Sequence, residues 1–175
     1  MTEQITGGTT MGASRDTDIQ FNLADAFEAV AAAVPDRTAI IFGDQQLTYA
    51  ELDAEANKLA HFFADLGVSK GDHVALYLMN SMEHLISIVS LIKLGAPAVN
   101  VNYRYVADEL AYILADSDAT VLFYDAGLRD AVAAVAERSP HVRTWVEWGE
   151  GGDASAPVPA FAERDVHLKS TDEFR

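Results

Sequence analysis

His73-Val74-Ala75-Leu76-Tyr77-Leu78 is a near-continuous apolar run that follows the turn Lys70-Gly71-Asp72, and Ala98-Val99-Asn100-Val101 is a second such run. Residues 81 to 94 between them are long enough for a helix, and Gly95 can end it and turn the chain straight into the next strand. Strands that are apolar throughout and joined by helical crossovers predict a parallel sheet covered on both faces, with right-handed connections. The pattern continues with a helix over residues 107–116, a strand Thr120-Val121-Leu122-Phe123-Tyr124, a helix over 127–137 and a last strand Val142-Arg143-Thr144-Trp145-Val146. The fold class expected is therefore α/β, a mainly parallel sheet with helices on both faces.

Working back from this unit, Asn22 is placed to cap a helix from Leu23 to Val34, with Leu23, Phe27, Val30 and Val34 as its expected buried stripe and Pro35 just past its end. Thr38 to Phe42 and Gln45 to Leu47, separated by Gly43-Asp44, read as a hairpin. Thr48-Tyr49-Ala50-Glu51 has the spacing of a capping box, in which a hydroxyl and a carboxylate each satisfy a backbone N–H that the first helical turn leaves free. The helix it opens should bury Leu52, Ala56, Leu59, Ala60 and Phe63 and end near Leu66, with Gly67 as the left-handed exit. Residues 1–20 are polar, lack periodicity and read as a disordered tail. Residues 149–175 begin with a Gly, Ser and Pro-rich stretch and read as a loop and terminal segment. The organised unit is expected over residues 21–148.

Two segments carry a family likeness: Leu47-Thr48-Tyr49-Ala50-Glu51-Leu52, and Leu91-Ile92-Lys93-Leu94-Gly95-Ala96-Pro97-Ala98-Val99-Asn100-Val101-Asn102-Tyr103-Arg104-Tyr105. Both resemble core motifs of the adenylate-forming (AMP-binding) superfamily, which holds acyl-CoA synthetases, luciferases and peptide-synthetase adenylation domains. The Asn-Val-Asn-Tyr-Arg-Tyr ending, with Asp108-Glu109-Leu110 soon after, is most similar to bacterial fatty-acid and steroid side-chain CoA ligases. The resemblance covers the opening part of such an enzyme and implies that the chain is an N-terminal portion truncated before the phosphate-binding loop. It further implies ATP, Mg²⁺ and CoA as cofactors of the complete enzyme and none in this chain. No residue here matches the family's nucleotide-gripping or catalytic motifs, so no catalytic, cofactor-binding or metal residue is carried over.

The 175 residues carry 12 basic and 27 acidic side chains, a net charge of −15. That balance disfavours nucleic acid and anionic membrane surfaces, both of which recruit Lys and Arg clusters. With no cysteine, disulfides, thiolate zinc sites and a cysteine nucleophile are excluded. No apolar run reaches the roughly 18–20 residues of a membrane span, and no basic-then-apolar leader is seen, which makes the cytoplasm the expected compartment.

Several residues invite a chemical reading and a plainer one. Arg104, beside Asn102, Tyr103 and Tyr105, has the composition of an anion clamp; paired with Asp108 or Glu109 it would instead fix a loop. His84, among apolar helix residues, is a ligand or simply a packed side chain. Tyr77, Met79 and Met82 lie at a strand's carboxyl end, where open α/β sheets place ligands, so they are either core or the remnant of an acyl tunnel. Asp108, Glu109, Asp116, Asp118 and Asp125 are numerous enough for a metal cluster, but four of them lie at the two ends of one predicted helix and read as a solvated face. The Gly7-Gly8-Thr9-Thr10 string lacks the preceding strand and the Lys of a phosphate loop.

Carboxylate activation requires a Gly, Ser and Thr-rich loop with a Lys around the ATP phosphates, and this sequence supplies none. The chain alone is therefore expected to be inactive and to pair with the remainder of the enzyme, or with itself, through an unfinished interface. Two other readings stay open: a non-catalytic binding or regulatory module retaining the fold, and a small flavodoxin-like nucleotide-binding protein.

Overall fold

The computed structural model describes residues 22–149. The expected tail over residues 1–20 lies outside them, as does nearly all of the expected 149–175 segment.

Helix α1 (Leu23–Ala33) opens on a reciprocal cap, Asn22 accepting from the Asp25 N–H and Asp25 accepting from the Asn22 N–H, both at 3.0 Å. Strands β1 (Thr38–Phe42) and β2 (Gln45–Thr48) form the antiparallel hairpin. Helix α2 (Tyr49–Asp65) starts with the expected capping box: the Glu51 N–H donates to Thr48 Oγ1 at 3.2 Å, and the Thr48 N–H donates to Glu51 Oε2 at 2.8 Å. The Thr48 N–H, and after it the Thr48 hydroxyl donating to Glu51 Oε2 at 2.9 Å, lower the Glu51 pKa from its ordinary value.

The main sheet then builds in βα steps. Strand β3 (Val74–Tyr77) leads to α3 (Met82–Leu94), β4 (Ala98–Asn100), α4 (Ala107–Asp116) and β5 (Val121–Asp125). A 3₁₀ turn (Ala126–Leu128), the short helix α5 (Arg129–Ala133) and a second 3₁₀ turn (Ala136–Arg138) carry the chain to β6 (Thr144–Trp148). All three pairings are parallel, in the order β4-β3-β5-β6. Counted from β3, that is second, first, third, fourth, so the winding direction reverses between β3 and β5.

Alternate strand residues build two cores, as the pleat demands. Val74, Leu76, Val121, Phe123 and Val146 face α2 and α3, where Phe63 meets Phe123 edge-on with ring centroids 5.6 Å apart. Ala75, Tyr77, Leu122 and Tyr124 face the other way, onto Leu110 and Leu114 of α4 and Val132 of α5. A left-handed Gly95 (φ 67°) ends α3 and feeds β4. A Cβ there would stand 3.2 Å from Lys70 Cγ.

Two expectations are corrected. The expected helix over 127–137 is a 3₁₀–α–3₁₀ succession, because the connection from β5 to β6 is short and tightens its turns with i→i+3 bonds, Val135 N to Val132 O and Arg138 N to Val135 O. The α1 stripe is in part rotated: Phe27 packs against the core as expected, but Ala24 and Ala31 are its buried residues, while Leu23 and Val30 are exposed along an apolar groove between α1 and α3. Close approach of α1 to α2 and α3 favours the alanine face. It also lets the Lys93 ammonium reach both Glu28 on α1, at 2.7 Å, and Asp53 on α2, at 2.8 Å.

Candidate functional site at the carboxyl edge of the sheet

Open α/β sheets bind ligands where the winding reverses, outside the strands' carboxyl ends. Here that crevice lies between the loops following β3 and β5. Tyr77, the last residue of β3, is buried and donates to the Tyr105 carbonyl at 2.6 Å, so it anchors the loop between β4 and α4. Burial, and then the Glu109 charge, push its pKa up. Met79 crosses towards the loop after β5, and its Cε would lie 3.3 Å from a Cβ placed on Gly127. Asp125 accepts the Gly127 N–H at 2.8 Å, so a carboxylate already holds the backbone donor that a phosphate would need. Met82 is buried in the core with α2 and α3. Of the three expected tunnel residues, only Met79 faces solvent.

Arg104 makes no ion pair among the described residues. It lies over the Tyr103 ring at 5.5 Å, its Nε donates to the Tyr103 hydroxyl at 3.2 Å, and its backbone N–H donates to Asn102 Oδ1 at 3.0 Å. Neither acid proposed as its partner pairs with it. Asp108 is engaged by Arg138 at 2.8 Å, and Glu109 reaches back to the Val106 N–H at 3.1 Å as the α4 cap. The Asn102 side chain thereby fixes the loop.

His84, on the first turns of α3, lines a groove of about 320 Å³ with Phe42, Asn80, Leu85, Ile88 and Asn100. Burial lowers its pKa, opposed by a hydrogen bond with the Met79 backbone, and Nε2 has no hydrogen-bond partner among the described residues.

One charged cluster was missed in the sequence. In β6, Glu147 is buried and bonded twice by Arg129: Nε donates to Oε2 at 2.6 Å and Nη2 to Oε1. The Tyr124 hydroxyl on β5 donates to Oε2 at 3.1 Å. Arg129 first, with help from Tyr124, holds Glu147 below the ordinary carboxylate range, while burial and Glu147 push Tyr124 up to about 12. The available signal was an acid set among Trp145, Val146 and Trp148 in an apolar strand. Such a residue is buried only when paired. The cluster is internally satisfied and ties α5 to the sheet. Among the described residues, no group of three or more His, Cys, Asp or Glu could hold a metal ion, and no helix is long and apolar enough to cross a membrane.

A parallel sheet wound in both directions from β3, clad by helices on each face and preceded by a helix and hairpin, defines a doubly wound α/β protein. Within that class the chain belongs to the AMP-binding enzyme family, whose sequence pattern matches residues 27–170. It is 46% identical over 165 residues to the medium/long-chain-fatty-acid–CoA/3-oxocholest-4-en-26-oate–CoA ligase of Mycobacterium tuberculosis, with 88% of this chain and 30% of the relative covered. It is 35% identical over 164 residues to the 3-oxocholest-4-en-26-oate–CoA ligase of Rhodococcus rhodochrous, with 87% and 30% covered. The chain thus spans about 30% of the length of these curated relatives.

Among solved structures it is similar to a Mycobacterium tuberculosis fatty acyl CoA synthetase, with a TM-score of 0.67, 35% identity, and 72% of this chain and 26% of the other covered. An anthranilate CoA ligase in complex with anthranoyl-AMP superimposes with a TM-score of 0.69 at 28% identity, covering 73% and 25%.

Proposed function

We propose that this chain is the amino-terminal part of an ATP-dependent acid–CoA ligase acting on fatty or steroid-derived carboxylic acids in the cytoplasm. In the complete enzyme, a substrate carboxylate oxygen attacks the α-phosphorus of ATP, giving an acyl-adenylate and pyrophosphate. The CoA thiol then displaces AMP and forms the thioester; in the first step Mg²⁺, which parts of the enzyme outside this chain would hold with the triphosphate, would neutralise the leaving pyrophosphate. The observation that carries this reading is the 46% identity over 165 residues to a ligase of that printed specificity.

The chain alone is proposed to be catalytically silent and to partner with the rest of the enzyme. Electrostatic stabilisation of the leaving pyrophosphate needs positioned cations and N–H donors. The described residues contribute no glycine-rich, lysine-bearing loop after a strand, and the Gly127 N–H at the reversal crevice is already held by Asp125. The strand order favours a flavodoxin-like nucleotide binder as a second reading, but the Gly127 N–H taken by Asp125 argues against it.

The test is ATP–pyrophosphate exchange with a medium-chain fatty acid, run on the chain alone and with the part of the Mycobacterium tuberculosis relative that it does not cover. Exchange only in the mixture supports the proposal. Exchange by the chain alone would overturn its silent part, and stoichiometric ATP binding without exchange in either sample would favour the nucleotide binder.

A further inference from the structure

Four residues of α1, Leu23, Ala26, Phe27 and Val30, line one wall of a groove of about 380 Å³, and Val89 and Ile92 of α3 line the other. Their spacing puts the four on one helix face, the stripe that an amphipathic helix turns to an apolar partner. Leu23 is nonetheless 64% exposed and Val30 44%, so among the described residues nothing covers the outer part of the stripe.

The cap of α1 decides which segment meets this groove. Asn22 is extended (φ −111°, ψ 167°) and exchanges hydrogen bonds with Asp25 in both directions. The residue before such a cap packs against the fourth residue of the helix, a hydrophobic staple that sets the angle at which the chain enters. Here the two are Phe21 and Ala26, and Ala26 lines the groove. Ile19 stands two places earlier, so an extended approach puts it on the same side as Phe21, with Asp18 and Gln20 on the other. The family pattern begins at Phe27, so Phe21 and the first turn of α1 both lie ahead of it. A groove wall drawn in part from that leading stretch suits an occupant from the same stretch.

We infer that the groove between α1 and α3 is the docking site of the chain's own residues 18–21, with Phe21 seated beside Ala26 and Ile19 further along the stripe. The two apolar side chains cover Leu23 and Val30 and couple the chain ahead of the cap to α3. A second copy of this chain and the remaining part of the synthetase are the competing occupants.

The experiment places the photoreactive residue p-benzoylphenylalanine at position 21 of the 175-residue chain, irradiates it and maps the products by mass spectrometry. The expected product has the mass of one chain and joins position 21 to residues 89–93 of α3. Phe21→Asp and Ile19→Asp should each lower the melting temperature, read by circular dichroism, by at least about 2 °C. Gln20→Asp adds the same charge on the opposite side and should leave it unchanged. In a Val30→Ser background the loss caused by Phe21→Asp should fall by at least half, because both changes act on one contact.

Products that join two chains would assign the groove to a second copy and overturn the docking. Loss of the expected product on adding the part of the Mycobacterium tuberculosis relative that this chain does not cover would assign the groove to the rest of the enzyme and overturn it equally. So would the absence of products on residues 89–93, equal melting temperatures for Phe21→Asp and Gln20→Asp, or fully additive losses with Val30→Ser. None of these outcomes touches the family assignment, because the pattern that carries it starts at Phe27.

Discussion

Replacing Lys93 with Met tests whether a single ammonium locks the first three helices together. The Lys93 side chain is 3% exposed; its Nζ lies 2.7 Å from Glu28 Oε1 and 2.8 Å from Asp53 Oδ1. The Glu28 contact is an aligned hydrogen bond, whereas Asp53 Oδ1 makes a charge contact without hydrogen-bond geometry. The ammonium also stands 5.7 Å from the centroid of the Phe27 ring. Removing it leaves two like charges converging on one apolar spot. Breaking a buried pair costs about 3–5 kcal/mol when the orphaned charge stays dry. Glu28 and Asp53 keep 26% and 28% side-chain exposure and can rehydrate, which brings the expected loss to about 2–3 kcal/mol.

Urea unfolding followed by circular dichroism should show the midpoint falling by about 1–2 M at unchanged slope. Adding Glu28→Gln and Asp53→Asn to Lys93→Met should recover at least half the loss, because it removes the repulsion between the two carboxylates that Lys93 bridges. A Lys93→Met midpoint within experimental scatter of the parent would refute the reasoning, as would a triple variant less stable than the single one.

Thr48→Ala removes the hydroxyl half of the α2 capping box and should cost about 1 kcal/mol, read as a lower denaturation midpoint. Gly95→Val forces a β-branched residue into a left-handed conformation against Lys70 and should cost at least about 1–2 kcal/mol, with lower soluble yield and melting temperature. Glu147 titrates below its unfolded value, so its contribution is complete above the ordinary carboxylate range and is lost as pH falls through the folded value. Glu147→Gln should accordingly show a shallower fall in stability on the acid side. Tyr124 is raised to about 12, so its contribution is complete below about pH 10 and lost between there and 12. Tyr124→Phe should flatten that alkaline limb, as measured by urea midpoints across the pH series.

What could be read in advance was local. Thr48 and Glu51 satisfy each other's backbone N–H groups within one turn, so their spacing alone specified the start of α2. Gly95 marked the end of α3 for the same reason. The apolar runs at residues 74–77 and 121–124 named strands buried on both faces, and with them the parallel sheet. The face that α1 presents was illegible because it is chosen by tertiary packing. Leu23 and Val30 are more hydrophobic than Ala24 and Ala31, yet the smaller side chains permit close approach to α2 and α3. Arg104 had two acids nearby in sequence, but Asp108 was taken by Arg138, thirty residues away, and Glu109 by the helix cap. The approach of Met79 to Gly127 depends on how the loop after β3 meets the loop after β5, which lie far apart in sequence.

The most direct test of the central claim is a chimaera in which residues 22–175 of this chain replace the matching segment of the Mycobacterium tuberculosis ligase. Acyl-CoA formation is then assayed with ATP, Mg²⁺, CoA and a medium-chain fatty acid. The account predicts a folded enzyme that makes the thioester with a KM for ATP close to that of the parent ligase, as the proposal that the nucleotide is held outside this chain requires. A chimaera that folds and melts cooperatively yet forms no acyl-adenylate would contradict it.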